Sequence, residues 1–515
     1  NLRFSGGDEK TRYSLSGNYL DQNGIIQASK FQRKNFRLNV DRDISEKFRV
    51  STNITFTRTN SDIANNNSAA GDAGSVISKA IRFFPTEPVK QPDGSFTVEN
   101  PFGLLTGNPV AELQEQTNNT KTTRFLGNIF AEYDILDNLT AKISFGVDRT
   151  QNEEKLFVPS TVFQGLSEDG IAEVGDLSRD SFINTNTITY KTNFGERFEQ
   201  RLNVVGGFSI EETENFQKVT GSQGFPTDAL RANNLAAGSI INTPQTLDTR
   251  NSLVSYFSRV NYVFNNKYIA TFTGRIDGSS RFGDDNEYGF FPSGALAWRA
   301  SEEDFFEDID WISDLKLRTS FGEAGNQAIG NFQSLSLLNP TQSNLGGATA
   351  IGFAPIRVSN PDLQWERTTQ FDVGGDVSLF NDQLEITADY YRKRTRDMIF
   401  NVPIPFSTGF NSSLQNLGEM KNNGFDMQLT VRSNPEKTGD FSWNASLNVN
   451  VNNNEVVDLG QRGTFFAGPG EGNLKIGDTF RVSEGDPIGT WFGLKYDGLF
   501  RDQEEVNNSA FQPGA

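Results

Sequence analysis

Apolar and polar residues alternate with a period of two along most of the chain, and residues 366–399 show the pattern most clearly. Phe371, Val373 and Val377 share one face of an extended segment, while mainly polar residues share the other. A polar break at 381–383 follows, and the same alternation then restarts. Because side chains of a β-strand point alternately to its two faces, this stretch predicts a hairpin with one apolar and one polar face.

The same two-residue period predicts about sixteen strands over the whole chain. The predicted strands lie near residues 11–20, 36–40, 48–56, 125–135, 139–147, 181–194, 201–210, 254–262, 268–276, 288–298, 314–322, 366–379, 384–391, 425–431, 443–451 and 491–500. Short turns alternate with long polar connections, which are predicted at about 60–122, 151–179, 211–250, 323–365 and 401–422. If consecutive strands are antiparallel, all short turns lie at one end of the sheet and all long connections at the other.

This asymmetry predicts an all-β fold, a large antiparallel transmembrane β-barrel with short periplasmic turns and long extracellular loops. A soluble β-sandwich or β-propeller also alternates, but the predicted strands of about nine to thirteen residues exceed the usual five or six. We find no propeller blade motif. Lipid requires closure into a barrel, because each unpaired backbone group there costs several kcal/mol. The apolar face then contacts lipid, and the polar face lines a hydrated lumen.

Aromatic residues near the ends of predicted strands are typical of the interfacial girdle of such a barrel. The expected girdle residues are Tyr133, Tyr262, Phe264, Tyr268 and Phe380.

Composition narrows the chemistry that the chain can perform. The 515 residues include no cysteine and no histidine, which excludes disulfides, thiolate metal sites and histidine-dependent catalytic sets. A net charge of −18 gives no dominant basic surface for nucleic acid. Hydrophobic content is only 35%, yet phenylalanine alone supplies 44 residues, which fits a wall one residue thick with a single apolar face. No run of eighteen apolar residues is present, so no transmembrane helix is predicted.

The sequence therefore predicts no catalytic, cofactor-binding or metal-binding residue, and no substrate-binding residue is assigned. Residues 275–283 look like a phosphate-binding loop but are interpreted as a strand end followed by a Gly/Ser loop. The acidic stretch 302–310 lacks the EF-hand spacing and is interpreted as a solvated connector. The glycine-rich segment 468–472 is interpreted as a flexible loop.

Two further groups of residues each allow more than one interpretation of their role. The basic run is interpreted as a solvated face, with lumen lining or contact with lipid headgroups as alternatives; it comprises Arg392, Lys393, Arg394 and Arg396. The aromatic residues Trp365, Tyr288 and Phe465 lie at predicted loop tips and are candidates for cargo contact. Such residues also pack against a lid or against one another.

Several blocks of sequence, in this order and spacing, resemble the SusC/RagA family of TonB-dependent outer-membrane transporters of Bacteroidota. The blocks are Ser-Gly-Gly at 5–7, Tyr-Ser-Leu-Ser-Gly at 13–17, Asp-Gly-Ser-Ser-Arg-Phe-Gly at 277–283, Phe-Pro-Ser at 291–293, Ala-Trp at 297–298, Leu-Lys-Leu-Arg at 315–318, Ser-Phe-Gly at 320–322, Gly-Asn at 325–326, Asn-Pro-Asp-Leu-Gln-Trp-Glu at 360–366, Asp-Tyr-Tyr at 389–391 with Thr395, Asp397 and Met398, and Asn-Gly at 423–424. Together they extend over nearly the whole chain.

The resemblance implies an outer-membrane transporter and not an enzyme. Its partners would be a SusD-like lipoprotein lid over the extracellular loops, TonB–ExbB–ExbD as the energy source and the surrounding outer-membrane lipid. Its cargo would be oligosaccharide or peptide. Residues 1–515 are then expected to be an incomplete TonB-dependent receptor-type β-barrel domain. The N-terminal plug, the TonB-contacting segment and the last strands of a barrel of about 22 strands would be absent.

The function therefore predicted is TonB-dependent active import of oligosaccharides or peptides across the outer membrane. A passive porin and a binding-only surface receptor are the alternatives. An outer-membrane enzyme or adhesin ranks last, because the chain contains no histidine for the usual nucleophilic chemistry.

Overall fold

The computed structural model describes residues 1–64, 75–97, 107–195, 198–433, 439, 441–468, 479–493, 495–496 and 498–508. The asparagine run at 65–67, most of the predicted turn 434–440 and nearly all of the predicted loop 468–472 lie outside the described residues.

Long antiparallel strands form one continuous wall, as the period of two predicts. The wall strands are β1 (Leu2–Gly7), β2 (Thr11–Asn23), β3 (Lys30–Ser45), β4 (Phe48–Asp62), β5 (Thr117–Leu136), β6 (Leu139–Val158), β7 (Ile171–Phe194), β8 (Gln200–Gln223), β9 (Ile240–Ile241), β10 (Gln245–Phe264), β11 (Tyr268–Ser279), β12 (Tyr288–Arg299), β13 (Ile312–Asn326), β16 (Glu366–Leu379), β17 (Leu384–Arg396), β20 (Glu419–Arg432) and β21 (Asn444–Asp458). They make up a 17-stranded sheet, of which β9 contributes two residues. The expected all-β architecture of about sixteen strands is confirmed.

Each wall strand pairs with the next wall strand along the chain, with the small β9 added beside β8. This antiparallel pairing of successive wall strands continues from β8 through β10 to β21. Such a meander places the tight turns, among them 46–47, 137–138 and 265–267, at one end of the wall, which we call the short-turn end. The connections 63–116, 159–170, 327–365 and 397–418 lie at the opposite, long-loop end.

The long connections contain small elements of their own. Small sheets are formed by β14 (Leu338–Leu345) with β15 (Ala348–Pro355), by β18 (Ile399–Pro403) with β19 (Ser412–Asn416), and by β22 (Phe465–Ala467), β23 (Phe480–Val482) and β24 (Thr490–Trp491). The short helices are α1 (Val76–Arg82), α2 (Pro109–Glu115), α3 (Phe163–Leu166) and α4 (Gln503–Asn508). Segments of 3-10 helix occupy Asp228–Asn233, Leu235–Ala237, Ala300–Glu302, Asp304–Phe306, Phe406–Thr408 and Gly460–Arg462. Among the helices of the described ranges, none is long and apolar enough to cross a membrane.

Several predicted bounds are wrong, and most errors lie at the long-loop end. Strands β5, β6 and β10 have 20 residues and β7 and β8 have 24, so the predicted loops 151–179 and 211–250 are largely strand. Parts of these extensions are polar on both faces, as in the Glu-Glu-Thr-Glu-Asn run at 211–215. Beyond the hydrocarbon both faces meet water, so the polarity pattern ends although backbone pairing continues.

The predicted strand 491–500 is also wrong. Only Thr490–Trp491 is a strand in this region, and the described residues of 492–500 form none. The apolar residues of 491–500 alternate too loosely with glycine and charge to show which of them pair, and period alone cannot supply a partner strand.

The apolar face of the wall points away from the lumen and is left exposed in this single chain. Phe145, Phe272, Phe321 and Leu447 are among the large apolar side chains that remain accessible there. Fully buried apolar residues occur instead in small clusters, such as Phe157 near the end of β6 with Phe225 just after β8. An exposed apolar belt without a continuous internal core is the pattern expected for a wall surrounded by lipid.

Candidate functional site

The polar face of the wall carries charged side chains that are paired across neighbouring strands. The register of β13, β16 and β17 brings Arg318 beside Gly374 and Asp389. The Arg318 guanidinium donates to Asp389 at 2.8 Å and to Asp376 at 3.2–3.3 Å, and the Thr387 hydroxyl also donates to Asp376 at 3.1 Å. Each carboxylate thus has a donor, and the arginine is held in a fixed position on this luminal face.

A second luminal group includes an aromatic ring. Arg275 donates to both carboxylate oxygens of Asp277 at 2.7 and 2.8 Å and to the Ser255 hydroxyl at 2.7 Å. Its guanidinium carbon lies 5.6 Å from the centre of the Phe257 ring. A planar cation that is fixed by a carboxylate and rests on a ring is more rigid than a solvated arginine. The luminal face is therefore polar but ordered.

The last described wall strand presents a row of amide side chains to the lumen. Asn448, Asn450 and Asn452 occupy alternate positions of β21, on the same face as Asn454. Asn452 accepts a hydrogen bond from the Tyr391 hydroxyl at 3.3 Å. Amides offer both donors and acceptors without net charge, so this amide row, Asn448, Asn450, Asn452 and Asn454, can hydrogen-bond neutral polar molecules.

The long-loop end contains a cluster that joins three of the sequence blocks identified above. Phe282, Phe291, Leu363 and Trp365 are all buried and contact one another. The Trp365 ring lies 5.1 Å from that of Phe282 and 5.3 Å from that of Phe291, and its indole nitrogen donates to the carbonyl of Glu287 at 2.8 Å. We call these four residues the rim cluster. The blocks 277–283, 291–293 and 360–366 therefore meet in space.

The three aromatic candidates for cargo contact have different environments. Trp365 is only 5% exposed, so its interpretation as an accessible loop-tip residue is wrong and the alternative, packing against other aromatics, applies. Phe465 is half-buried between the Arg462 guanidinium and the Phe400 ring. Tyr288 is 60% exposed at the start of β12. No sequence signal separated these cases, because burial here depends on contacts between distant segments.

The short-turn end is held by a carboxylate clamp. Glu303 accepts hydrogen bonds from Tyr268 at 2.6 Å, Lys267 at 3.0 Å and the Trp298 indole at 3.1 Å. These donors, with the tyrosine hydroxyl the strongest of them, lower the pKa of Glu303 from 4.5 to about 2. The predicted solvated connector 302–310 thus includes one side chain with a defined structural role. We call Glu303 with its three donors the carboxylate clamp.

The expected girdle residues lie at this same end of the wall. Phe48 contacts Tyr133, Phe264 contacts Tyr268 and Trp311 contacts Phe380, with ring centres 6.3–6.5 Å apart. The Tyr262 hydroxyl donates to Gln200 at 2.6 Å. Each expected residue therefore sits beside a tight turn, where aromatic rings meet the membrane interface.

The basic run is divided between the two faces of β17. Lys393 lies on the luminal face, 5.0 Å above the Tyr391 ring. Arg392, Arg394 and Arg396 alternate with it and share the outward face with Tyr390. The four basic residues therefore do not form a single surface, and the three arginines point away from the lumen.

Residues 275–283 and the acidic side chains of the described ranges were considered above as possible phosphate-binding and metal-binding sites. Residue Ser279 ends β11, and a turn follows it, so the interpretation of 275–283 as a strand end plus loop is confirmed. Within the part of the chain that the structure describes, no group of three or more acidic side chains is arranged to hold a metal ion.

A wall of meandering strands with an apolar exterior, a polar interior and loops on one end defines an outer-membrane β-barrel protein. Comparison with known proteins gives the same class and narrows it. The family model described as "TonB dependent receptor-like, beta-barrel" matches residues 91–514. The chain belongs to the TonB-dependent receptor β-barrel family, and its relatives place it in the SusC/RagA type. It is accordingly an outer-membrane barrel protein and not an enzyme.

Three relatives illustrate this similarity. TonB-dependent receptor P3 of Formosa agariphila is 33% identical over 502 residues, covering 97% of this chain and 50% of the relative. TonB-dependent receptor SusC of Bacteroides thetaiotaomicron is 30% identical over 488 residues, covering 89% of this chain and 47% of the relative. The solved RagAB peptide transporter is 27% identical with a TM-score of 0.81, covering 94% of this chain and 53% of that chain. The chain thus spans about half the length of the curated relatives that it matches.

Proposed function

We propose that this chain forms much of the barrel wall of a TonB-dependent importer of oligosaccharides or peptides. The observation that supports the proposal is a polar, ordered luminal face in a barrel similar over nearly its whole length to SusC and to the RagAB peptide transporter. Segments beyond residues 1–515 would supply the plug and the remaining strands. A SusD-like lipoprotein would cover the long-loop end, and TonB would transmit energy from the inner membrane.

The physical basis is a lumen that binds weakly at many positions. Oligosaccharides and peptides are both rich in hydroxyl or amide groups that need hydrogen-bond partners when they leave bulk water. The amide row offers such partners without charge, while the luminal Arg318 is already paired with Asp376 and Asp389. Weak, repeated contacts let a cargo molecule enter and leave.

The test is uptake by cells that carry the full-length receptor or a deletion of its gene. Labelled oligosaccharide and peptide mixtures are supplied, with and without an uncoupler of the proton gradient. An importer accumulates one class of cargo and stops when the gradient collapses. Uptake that continues unchanged without the gradient would identify a passive porin, and surface binding without internal label would identify a binding-only receptor.

A variant of the amide row separates a luminal role from folding. Replacing Asn448, Asn450 and Asn452 by alanine together is expected to reduce the rate of uptake several-fold, because each lost hydrogen bond contributes about 0.5–1.5 kcal/mol. Asn453→Ala is the matched control, since this residue lies on the outward face of the same strand. An equal loss of uptake in both variants would contradict the luminal role.

A further inference from the structure

A group of cations lies on the outward face of the wall, at the long-loop end of β17 and β20. Arg392, Arg394 and Arg396 occupy alternate positions of β17, and Lys421 on β20 is the register partner of Arg394. We call these four residues the basic patch. They follow directly after Tyr390 and its partner Phe425, which are exposed apolar residues of the outward belt.

The position of the basic patch corresponds to the depth of lipid headgroups. A strand rises about 3.3 Å per residue and is tilted by about 40°, so successive outward positions are about 5 Å apart along the membrane normal. The headgroup region extends about 5–8 Å beyond the hydrocarbon on each side. Arg392 and Arg394 are one and two outward positions beyond Tyr390, so their long side chains reach this layer.

The carboxylates nearby do not neutralise all the cations. Glu419 accepts a hydrogen bond from Arg394 and lies 3.7 Å from Arg396, while Lys421 lies 2.7 Å from Glu455. These two carboxylates are thus shared among three cations of the basic patch.

Arg392 is the remaining cation. Its register partners are Phe371 and Asn423, neither of which is charged. Within the described ranges it has no ion pair and no side-chain hydrogen bond. An exposed guanidinium without a partner at this depth is available to an anion from the membrane.

At the same long-loop end of the wall, the outward face of β7 and β8 is negatively charged. Beyond the apolar residues Phe182 on β7 and Ile210 on β8, the outward positions carry mainly carboxylates, namely Asp176, Asp180, Glu212 and Glu214. The two arginines on that side are paired, Arg149 with Asp180 at 3.3 Å and Arg250 with Glu212 and Glu214 at 3.3–3.4 Å. The outward face of β7 and β8 therefore differs in charge from that of β17 and β20 at the same level.

We propose that the basic patch binds the phosphate of a phosphorylated lipid headgroup in the outer leaflet. The planar guanidinium of Arg392 can donate two parallel hydrogen bonds to one phosphate, and Lys421 and Arg394 add charge beside it. A phosphate also fits better than a carboxylate-bearing partner, since its double charge matches the excess of cations. The inference depends on the outer-membrane location of the family and is independent of which cargo is imported.

The test measures binding of a diphosphorylated lipid A preparation to the full-length receptor in detergent, with dephosphorylated lipid A in parallel. Each cation near an anionic headgroup contributes about fivefold to binding. Arg392→Gln is therefore expected to raise the dissociation constant about fivefold, and Arg392→Gln with Lys421→Gln about 25-fold. Arg392→Lys keeps the charge but loses the two parallel hydrogen bonds, so its affinity is expected to lie between those of the wild type and Arg392→Gln. Dephosphorylated lipid is expected to bind weakly to every variant.

Arg149→Gln with Arg250→Gln is the matched control, because it removes the same charge from the outward face of the acidic sector. An equal loss of binding in this control would overturn the proposal, since it would reflect net charge alone. Equal binding of the two lipids would overturn it as well. Displacement of the lipid by millimolar inorganic phosphate would show a free-anion site and would also overturn it. Heat-modifiable mobility on gels verifies that each variant is folded.

Discussion

The two ends of the wall are held together in different ways. At the long-loop end the rim cluster buries Phe282, Phe291, Leu363 and Trp365 in contact with one another. At the short-turn end the carboxylate clamp joins Glu303 to Lys267 in the turn before β11, to Tyr268 at the start of β11 and to Trp298 near the end of β12. The first arrangement depends on burial of apolar surface and the second on hydrogen bonds to one charge.

The difference follows from the lengths of the connections. A tight turn such as 265–267 brings neighbouring strands together through the backbone alone, so a few hydrogen bonds are enough to fix the adjacent connector. The connection 327–365 has many more conformations to lose, and burial of large apolar side chains provides the free energy that orders it. The long-loop end should therefore be sensitive to packing changes and the short-turn end to charge.

The largest expected effect is the loss of the central side chain of the rim cluster. Trp365→Ala is expected to destabilise the full-length receptor by about 3–5 kcal/mol, because it removes a buried ring and one of the two hydrogen bonds that the carbonyl of Glu287 accepts, the other coming from the backbone N–H of Ser279. Chemical denaturation, followed by loss of the heat-modifiable band, measures the change. Trp491→Ala is the control, since that indole is 78% exposed. Similar destabilisation by both variants would contradict the role of the rim cluster.

A smaller effect is expected where two segments of the same end approach closely. A Cβ atom on Gly283 would lie 2.2 Å from the carbonyl oxygen of Pro361, so Gly283→Ala must push the two segments apart. We expect a loss of about 1–3 kcal/mol, as for other overpacked sites. In Gly206→Ala the added methyl meets no atom within 4 Å, and the same denaturation assay should detect almost no change. A neutral Gly283→Ala variant would show that this contact is not tight.

The smallest expected effect concerns the short-turn end and emerges only in acid. The pKa of Glu303 is lowered from 4.5 to about 2, so its contribution to stability is complete above pH 4.5 and is lost as the pH falls through about 2. Glu303→Gln should remove this dependence, whereas Glu307→Gln, a change in the same connector, should retain it. Unfolding of the receptor measured between pH 5 and pH 2 is the test. A wild-type profile identical to that of Glu303→Gln would disprove the role of the carboxylate clamp.

The sequence predicted the wall better than it predicted the ends. Alternation placed the strands around Phe145, Phe272 and Phe321 because lipid on one side and water on the other impose a period of two. It failed for the extensions of β7 and β8, where both faces meet water and no polarity difference marks a strand. It also missed the rim cluster, although the blocks 277–283 and 360–366 were both recognised, because neither block by itself reveals that the other covers it.

The sequence alone determined the class of the protein, the alternation of its two faces and the end on which the long connections lie. The alternation is local, because side chains at every second position of a strand point to the same face; the class and the loop asymmetry follow from its repetition along the chain and from the recognised sequence blocks. Only the tertiary structure decided that Trp365 is buried, that Glu303 is clamped and that Arg392 points outward between uncharged register partners. Those outcomes depend on the register between strands and on contacts between segments far apart in sequence, which a periodic pattern does not encode.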